Sequence, residues 1–369
     1  MRVPKWFVLA CAFTATCLGA APKIQRGELE GAKYAWAQPD HWNGSVLILA
    51  HGYVSEDLPL NPNFNPEHAA YKKLIDEGWL VAKTSYRRNG LILADGIADI
   101  DNLRAEIARR MGAPERVIVE GDSMGGTIAV LIAERAVETP TALYQGVIAV
   151  DPGLNLREPA SGITGLSMQP KIPVVFLCNR NEIDGSRSYR DLNFPRDIRP
   201  FAPALLRVNR DGHVNVNQAE RLFAIRYLTA WIDSGSAPTN TLSPQLGYTD
   251  ATRIPDPQPS RVFLDADEHG FTAHVSEISG NHGNILLDAQ PADFEKIGLR
   301  PNAYFQITIR ERNFRVLFGR DFNSVKRGEW VAFPNADGFF WLGRNFADAA
   351  KTAECKAGDL VQIRRYEPQ

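Results

Sequence analysis

The β-branched run Val117-Ile118-Val119 passes through Glu120 and Gly121-Asp122-Ser123-Met124-Gly125 into the apolar stretch Gly126-Thr127-Ile128-Ala129-Val130. This order fixes a strand, a sharp turn and a helix. A serine at such an apex takes a strained backbone conformation, and only small residues at Gly121 and Gly125 let the chain close around it. The turn pushes the Ser123 hydroxyl into the open. The Met124 amide, in the first turn of the next helix, points to where negative charge would develop on an attacked carbonyl, and the helix dipole adds to its pull. A bare Gly-x-Ser-x-Gly is often no more than a glycine-rich turn. Between a strand pattern and a helical pattern it reads as an elbow presenting a nucleophile.

The segments around it alternate. Apolar strands are predicted at 45–50, 79–85, 116–121, 146–151, 172–178 and 204–208, with helices near 66–77, 95–111, 124–138 and 216–233. This alternation predicts an α/β fold, a mostly parallel sheet with helices on both faces, from residue 24 to about 235. In the helix after Asp95, Ile97, Ile100, Leu103, Ile107 and Met111 fall on one stripe. Residues 236–260 are rich in Pro, Ser and Thr and read as a linker. From 261 to 369, short alternating runs such as Tyr304–Ile309 and Phe314–Phe318 predict a small all-β domain.

With 369 residues, 44% hydrophobic and 23% charged, the chain is long enough for two such domains. Its formal charge of −2 offers no basic field for nucleic acid or an anionic membrane. Residues 1–21 read as a secretory signal: Arg2 and Lys5, an apolar stretch from Trp6 to Leu18, then Gly19-Ala20-Ala21. The run is too short for a span, so a secreted or periplasmic location without membrane contact after signal removal is expected. Only Cys178 and Cys355 then remain, which excludes a disulfide framework.

A nucleophile on such a sheet requires an acid after a later strand and a histidine after the last one. His213, on the loop Asn209-Arg210-Asp211-Gly212-His213, is the candidate base, since imidazole exchanges protons near neutral pH. Two carboxylates follow the strand ending at Cys178. Glu182 is the first choice for the acid and Asp184 the alternative, also readable as a turn residue beside Gly185. The strand Val46–Ala50 leads into His51-Gly52-Tyr53, where the Tyr53 amide is the second candidate oxyanion donor beside that of Met124. Asp151–Leu154 and the loop Val54–Pro66, with Leu58, Leu60 and Phe64, are expected to wall the site, with Trp42 and Tyr86 as further candidates.

Together these segments resemble the α/β-hydrolase superfamily over roughly residues 24–235. The resemblance implies Ser123 as nucleophile, His213 as base, Glu182 or Asp184 as acid, and the Tyr53 and Met124 amides as oxyanion hole. Residues 262–366 resemble the C-terminal barrel of the S-adenosylmethionine hydroxide adenosyltransferase and fluorinase family, through Gly283-Asn284-Ile285-Leu286, Gly328-Glu329-Trp330-Val331-Ala332-Phe333, Asn345, Asp348-Ala349-Ala350 and Ala357-Gly358-Asp359-Leu360-Val361. That resemblance would map adenosyl contacts to Asn284 and Asn345. The chain departs from the family at Gly280, His282 and Asp288, which favours an accessory barrel. Asp265, Asp267, Glu268, His269, His274 and His282 match no metal-ligand spacing, so neither metal nor cofactor is expected. The function expected is an exported serine hydrolase acting on small carboxylic esters through an acyl-enzyme. A peptidase or amidase of the same fold, or a nucleoside-binding or S-adenosylmethionine-binding protein, is the alternative.

Overall fold

The computed structural model describes residues 22–135, 143–156, 163, 165–191, 202–238, 260–279 and 283–366. The expected signal segment 1–21, most of the expected linker (239–259), Gly280 and His282 lie outside them.

Eight strands form the first sheet. They are β1 (Lys23–Leu29), β2 (Ala32–Gln38), β3 (Ser45–Ala50), β4 (Leu80–Thr84), β5 (Arg116–Asp122), β6 (Gly146–Val150), β7 (Val174–Asn179) and β8 (Ala204–Val208). Their order across the sheet is β1-β2-β4-β3-β5-β6-β7-β8. Strands β4, β3 and β5 to β8 run parallel, and the β1–β2 hairpin adds to β4 antiparallel. Every residue of β3, β6 and β7 is buried, as expected of strands covered on both faces.

The helices divide between the faces. On one face α2 (Leu93–Met111) and α3 (Met124–Arg135) bury Ile100, Leu103, Ile128 and Ile132 against Val46, Ile48 and Val119. On the other, α1 (Ala69–Asp76) and α5 (Gln218–Ser234) bury Leu74, Ile225 and Leu228 against Leu47, Leu49 and Ile118. A fifth helix, α4 (Ile183–Asp191), buries only Ile183, Ser186 and Tyr189. Neither α4 nor the β1–β2 hairpin is legible as a separate element, because each carries a short or half-exposed apolar pattern.

The second sheet closes on itself. Strands β10 (Gly270–Ile278), β11 (Ile285–Leu287), β12 (Tyr304–Ile309), β13 (Arg312–Phe318), β14 (Trp330–Pro334), β15 (Phe340–Arg344) and β16 (Leu360–Arg365) pair in the cycle β10-β11-β15-β14-β13-β12-β16, and β9 (Phe263–Leu264) adds to β10. Its interior is filled from the side by Phe294 of α6 (Pro291–Lys296), fully buried, stacked on Phe340 at 3.9 Å and edge-on to Phe271 at 5.1 Å. A seventh helix, α7 (Ala349–Ala353), closes one end.

Candidate active site

Between β5 and α3, Ser123 adopts φ +54°, the left-handed region that side chains avoid. The surroundings hold it there. A Cβ at Gly121 would collide with the Gly125 carbonyl, and one at Gly125 with the Ala50 carbonyl at the end of β3, so both positions require glycine. The Ser123 amide donates to the Val150 carbonyl at 2.9 Å, and the Thr127 hydroxyl donates to the Gly153 carbonyl at 2.9 Å. Arg221 of α5 anchors the turn from the other face, binding Asp122 at 2.9 Å and buried Glu120 at 2.6 Å. Burial in that charged cluster also brings the Lys83 ammonium down to about 8. The strand order combined with this elbow decides the fold.

The N-terminal domain has the α/β-hydrolase fold. On an open sheet of this kind, ligand chemistry gathers beyond the carboxyl ends of the strands, where the elbow stands.

His213, on the loop from β8 to α5, places Nε2 at 2.8 Å from Ser123 Oγ. Its Nδ1 lies 3.7 Å from Glu182 Oε1, within ion-pair range but longer than a hydrogen bond. Asp184 lies in the first turn of α4, with its side chain 85% exposed and paired with Arg187 at 2.6 Å. The structure therefore brings Glu182, and not Asp184, to the imidazole. Burial alone would lower the His213 pKa, but Glu182, then Asp151 and Asp122, together lift it above the usual value.

Behind His213 stands Asp151, which the sequence marks only as a wall residue. It directly follows β6, is 1% exposed, and adopts φ +41°. Its carboxylate accepts from the Asn179 amide at 2.8 Å and from the Val214 amide at 2.7 Å, tying the end of β7 to the residue after His213. Val214 is itself at φ +56°, a conformation costing on the order of 1–3 kcal/mol that this bond sustains. Burial raises the Asp151 carboxyl to about 7 against the opposing pull of His213 and the two amides. Asn179, fully buried, completes the stitching: it accepts from the Asn215 amide at 2.8 Å and donates to the Asn215 carbonyl at 3.0 Å. A carboxylate immediately after an all-apolar strand was the signal for this role.

On the opposite side of Ser123 lies the loop after β3. A Cβ at Gly52 would stand 3.3 Å from the Ser123 Cβ, so this backbone packs directly on the serine. The Tyr53 and Met124 amides have no acceptor among the described residues. His51 is buried, its ring 4.1 Å from that of Tyr86, whose hydroxyl donates to the His51 carbonyl at 3.2 Å. Of the expected walls, Phe64 packs on the core and also lines a small cavity with His51 and Asp122, Tyr86 is a core residue, and Trp42 packs on the core with its indole N–H on the Ser45 carbonyl.

The barrel reaches all three of these loops. Asn181, beside Glu182, donates to Asp321 at 3.3 Å while accepting from the Gly212 amide at 2.9 Å. Asn215 donates to the Pro334 carbonyl at 3.2 Å, and Phe346 lies edge-on to Tyr53 at 6.1 Å. Inside the barrel, Asn345 is buried with its amide on the Val325 carbonyl at 2.9 Å, and Asn284 packs beside Gly343. The expected acidic turn is paired, with Asp265 and Asp267 both on Arg364. Among the described residues no three potential metal ligands converge.

The family model of the SAM hydroxide adenosyltransferase C-terminal domain matches residues 280–362, the region of the closed barrel. No curated protein matches the chain. Among solved structures, an uncharacterized conserved protein from Thermotoga maritima is 19% identical, covering 37% of this chain and 49% of its own, at a TM-score of 0.27. An esterase from Pyrobaculum calidifontis is 16% identical over 60% of this chain and 88% of its own, at 0.45. The acylaminoacyl peptidase of Pyrococcus horikoshii is 12% identical over 60% of this chain and 43% of its own, at 0.44. This chain thus spans less than half of the Thermotoga protein and of the peptidase. The strand order and the elbow, not these likenesses, carry the fold.

Proposed function

We propose that this protein is a serine hydrolase of carboxylic esters working through an acyl-enzyme. The observation that carries the reading is the 2.8 Å approach of His213 Nε2 to the hydroxyl of a serine held at a left-handed elbow. Ser123 Oγ attacks the ester carbonyl as Nε2 takes its proton. The oxyanion rests on the Tyr53 and Met124 amides, which carry no competing acceptor among the described residues, with Met124 at the positive end of α3. The imidazolium, facing Glu182, returns the proton to the leaving alcohol, and a water activated by the same nitrogen releases the acid. Asp151 acts as a positioning residue by fixing the loop that carries the base.

Fluorophosphonate labelling with peptide mapping tests the reading. Covalent modification of Ser123, abolished in Ser123→Ala, is the expected result, and folded protein that stays unlabelled overturns it. Matched ester and amide substrates then separate an esterase from an amidase, because the amide requires a protonated leaving amine. We further propose export through residues 1–21, for which N-terminal sequencing of secreted material should begin near Pro22.

A further inference from the structure

We propose that Tyr53 and Phe346 form an aryl clamp at the mouth of the Ser123 site, and that Arg327 receives an anionic group on the same substrate. The class of ester favoured is then an aromatic one bearing a carboxylate. The inference rests on the serine-hydrolase reading and goes beyond it in naming the substrate class and giving the barrel a part in selecting it.

Phe346 is among the exposed large hydrophobic side chains of the barrel region and lies outside its core. It is 63% exposed and sits at φ +51°, which a bulky aromatic residue avoids unless its surroundings impose it. They do. The turn 344–347 is closed by the Ala347 amide on the Arg344 carbonyl at 3.3 Å, the Asn345 amide donates to the Glu329 carbonyl at 3.1 Å, and the Gly328 amide donates back to the Asn345 carbonyl at 2.7 Å. With the Asn345 side chain on Val325, the backbone that carries the ring is held in place on both sides.

What it faces is the oxyanion loop. The Phe346 and Tyr53 rings stand 6.1 Å apart at 67°, an edge-on arrangement that leaves ring surface open to a third aromatic group. The Tyr53 amide is one of the two proposed oxyanion donors, and Gly52 beside it packs on Ser123, so a substrate ring held there meets the same residue as the reacting carbonyl. The Arg327 guanidinium lies 5.3 Å from the Phe346 centroid and has no carboxylate partner among the described residues. Its planar fork suits a carboxylate, and its stacking on Phe346 fixes where that charge would be met. An uncharged aliphatic ester would use neither feature.

The test compares selectivities in the full-length protein. kcat/KM is measured for phenyl acetate against cyclohexyl acetate, and for methyl benzoate against methyl cyclohexanecarboxylate, in wild type, Phe346→Ala and Phe346→Leu. Intrinsic reactivity cancels when the aryl-to-alkyl ratio of a variant is divided by that of wild type. The aryl preference is expected to fall about tenfold in at least one pair. Arg327→Gln should lower the preference for 4-carboxyphenyl acetate over phenyl acetate by about the same factor. Ratios unchanged in both Phe346 variants overturn the clamp, and an unchanged ratio in Arg327→Gln overturns the anionic part. Fluorophosphonate labelling keeps the two readings apart. Unlabelled wild type sinks the hydrolase itself, whereas labelled variants with unaltered ratios sink only the clamp. Phe346→Leu keeps an apolar side chain and answers the case in which the alanine variant does not label.

Discussion

The open sheet and the closed barrel place their buried polar side chains differently. In the sheet, Glu120, Asp151 and Asn179 are buried at the carboxyl ends of β5, β6 and β7, and their partners lie far along the chain, at Arg221 of α5 and in the loop around His213. In the barrel, buried Asp293, Asp321 and Asn335 each accept from amides two to four residues away and close their own turns, and buried Asp288 and Asn345 bond to His274 and Val325 of the same barrel, while Asp321 also accepts from Asn181 of the sheet domain. Parallel strands end together at one edge, where unpaired chain ends and helix N-termini leave room for reactive groups. The barrel, whose strands pair mostly antiparallel, mixes strand starts and strand ends at both of its rims. It can shape a site from outside but offers no comparable place to build one, and here its loops lie against those of the sheet.

The contrast is broken most directly at the nucleophile. Ser123→Ala should reduce kcat/KM on the order of 10⁶-fold, with a melting temperature near that of wild type, because the hydroxyl contributes no core packing. A loss below tenfold would mean that the sheet edge is not where the chemistry occurs. Next in size, Glu182→Gln should cost roughly 10²- to 10⁴-fold while Asp184→Asn stays within about twofold. Glu182 also sets the pH profile. His213 acts as base only when neutral, and its pKa is raised, so kcat/KM should rise with pH to a midpoint above the ordinary histidine value of about 6.5. In Glu182→Gln that midpoint should move to lower pH, and a profile that does not move would remove Glu182 from the site.

A smaller effect separates bracing from chemistry. Asp151→Asn leaves one of the Asn179 and Val214 amides without an acceptor, which should lower stability by about 1–3 kcal/mol and kcat/KM by roughly 10- to 100-fold. The sign with pH is fixed. Because the folded carboxyl is raised to about 7, wild type has its full contribution below the unfolded value near 4 and loses it as pH rises through the folded one. The asparagine variant lacks that slope. Thermal melts should therefore show the gap between the two proteins narrowing from pH 4 to 7, and a gap that widens would assign Asp151 a depressed pKa instead.

The same difference between regions explains what could be read from the sequence. Parallel strands covered on both faces appear as unbroken apolar runs, so β3 to β8 fall within a few residues of their predicted limits. The elbow was legible because sterics leave few residue types possible at Gly121 and Gly125. The candidate groups Ser123, His213 and Glu182 stand at chain positions that strand order dictates. Asp151 was harder to see because its role depends on two amides, at Asn179 and Val214, that only the folded sheet brings to it. The contacts of Asn181, Asn215 and Phe346 with the other domain have no periodicity or motif behind them, since they depend on how one domain rests on the other.

The smallest expected effect tests whether the barrel bears on the sheet edge at all. Asn181 has two duties: its oxygen accepts from the Gly212 amide beside the base, and its nitrogen donates to Asp321 of the barrel. Asn181→Asp preserves the first and sets a carboxylate against a carboxylate in the second. Alone it should lower kcat/KM two- to fivefold, the scale of about 0.5–1 kcal/mol expected for a partly exposed charged contact. The added charge also lies next to Glu182, so the single variant cannot apportion the loss between domains. A double-mutant cycle can. If the barrel steadies the acid loop through this contact, Asp321→Asn should restore most of the activity to Asn181→Asp, and higher salt should restore part of it by screening. Additive losses would make the barrel a neighbour of the site rather than a support for it. Coupling would show that a domain without reactive groups of its own helps to hold those of the sheet in place.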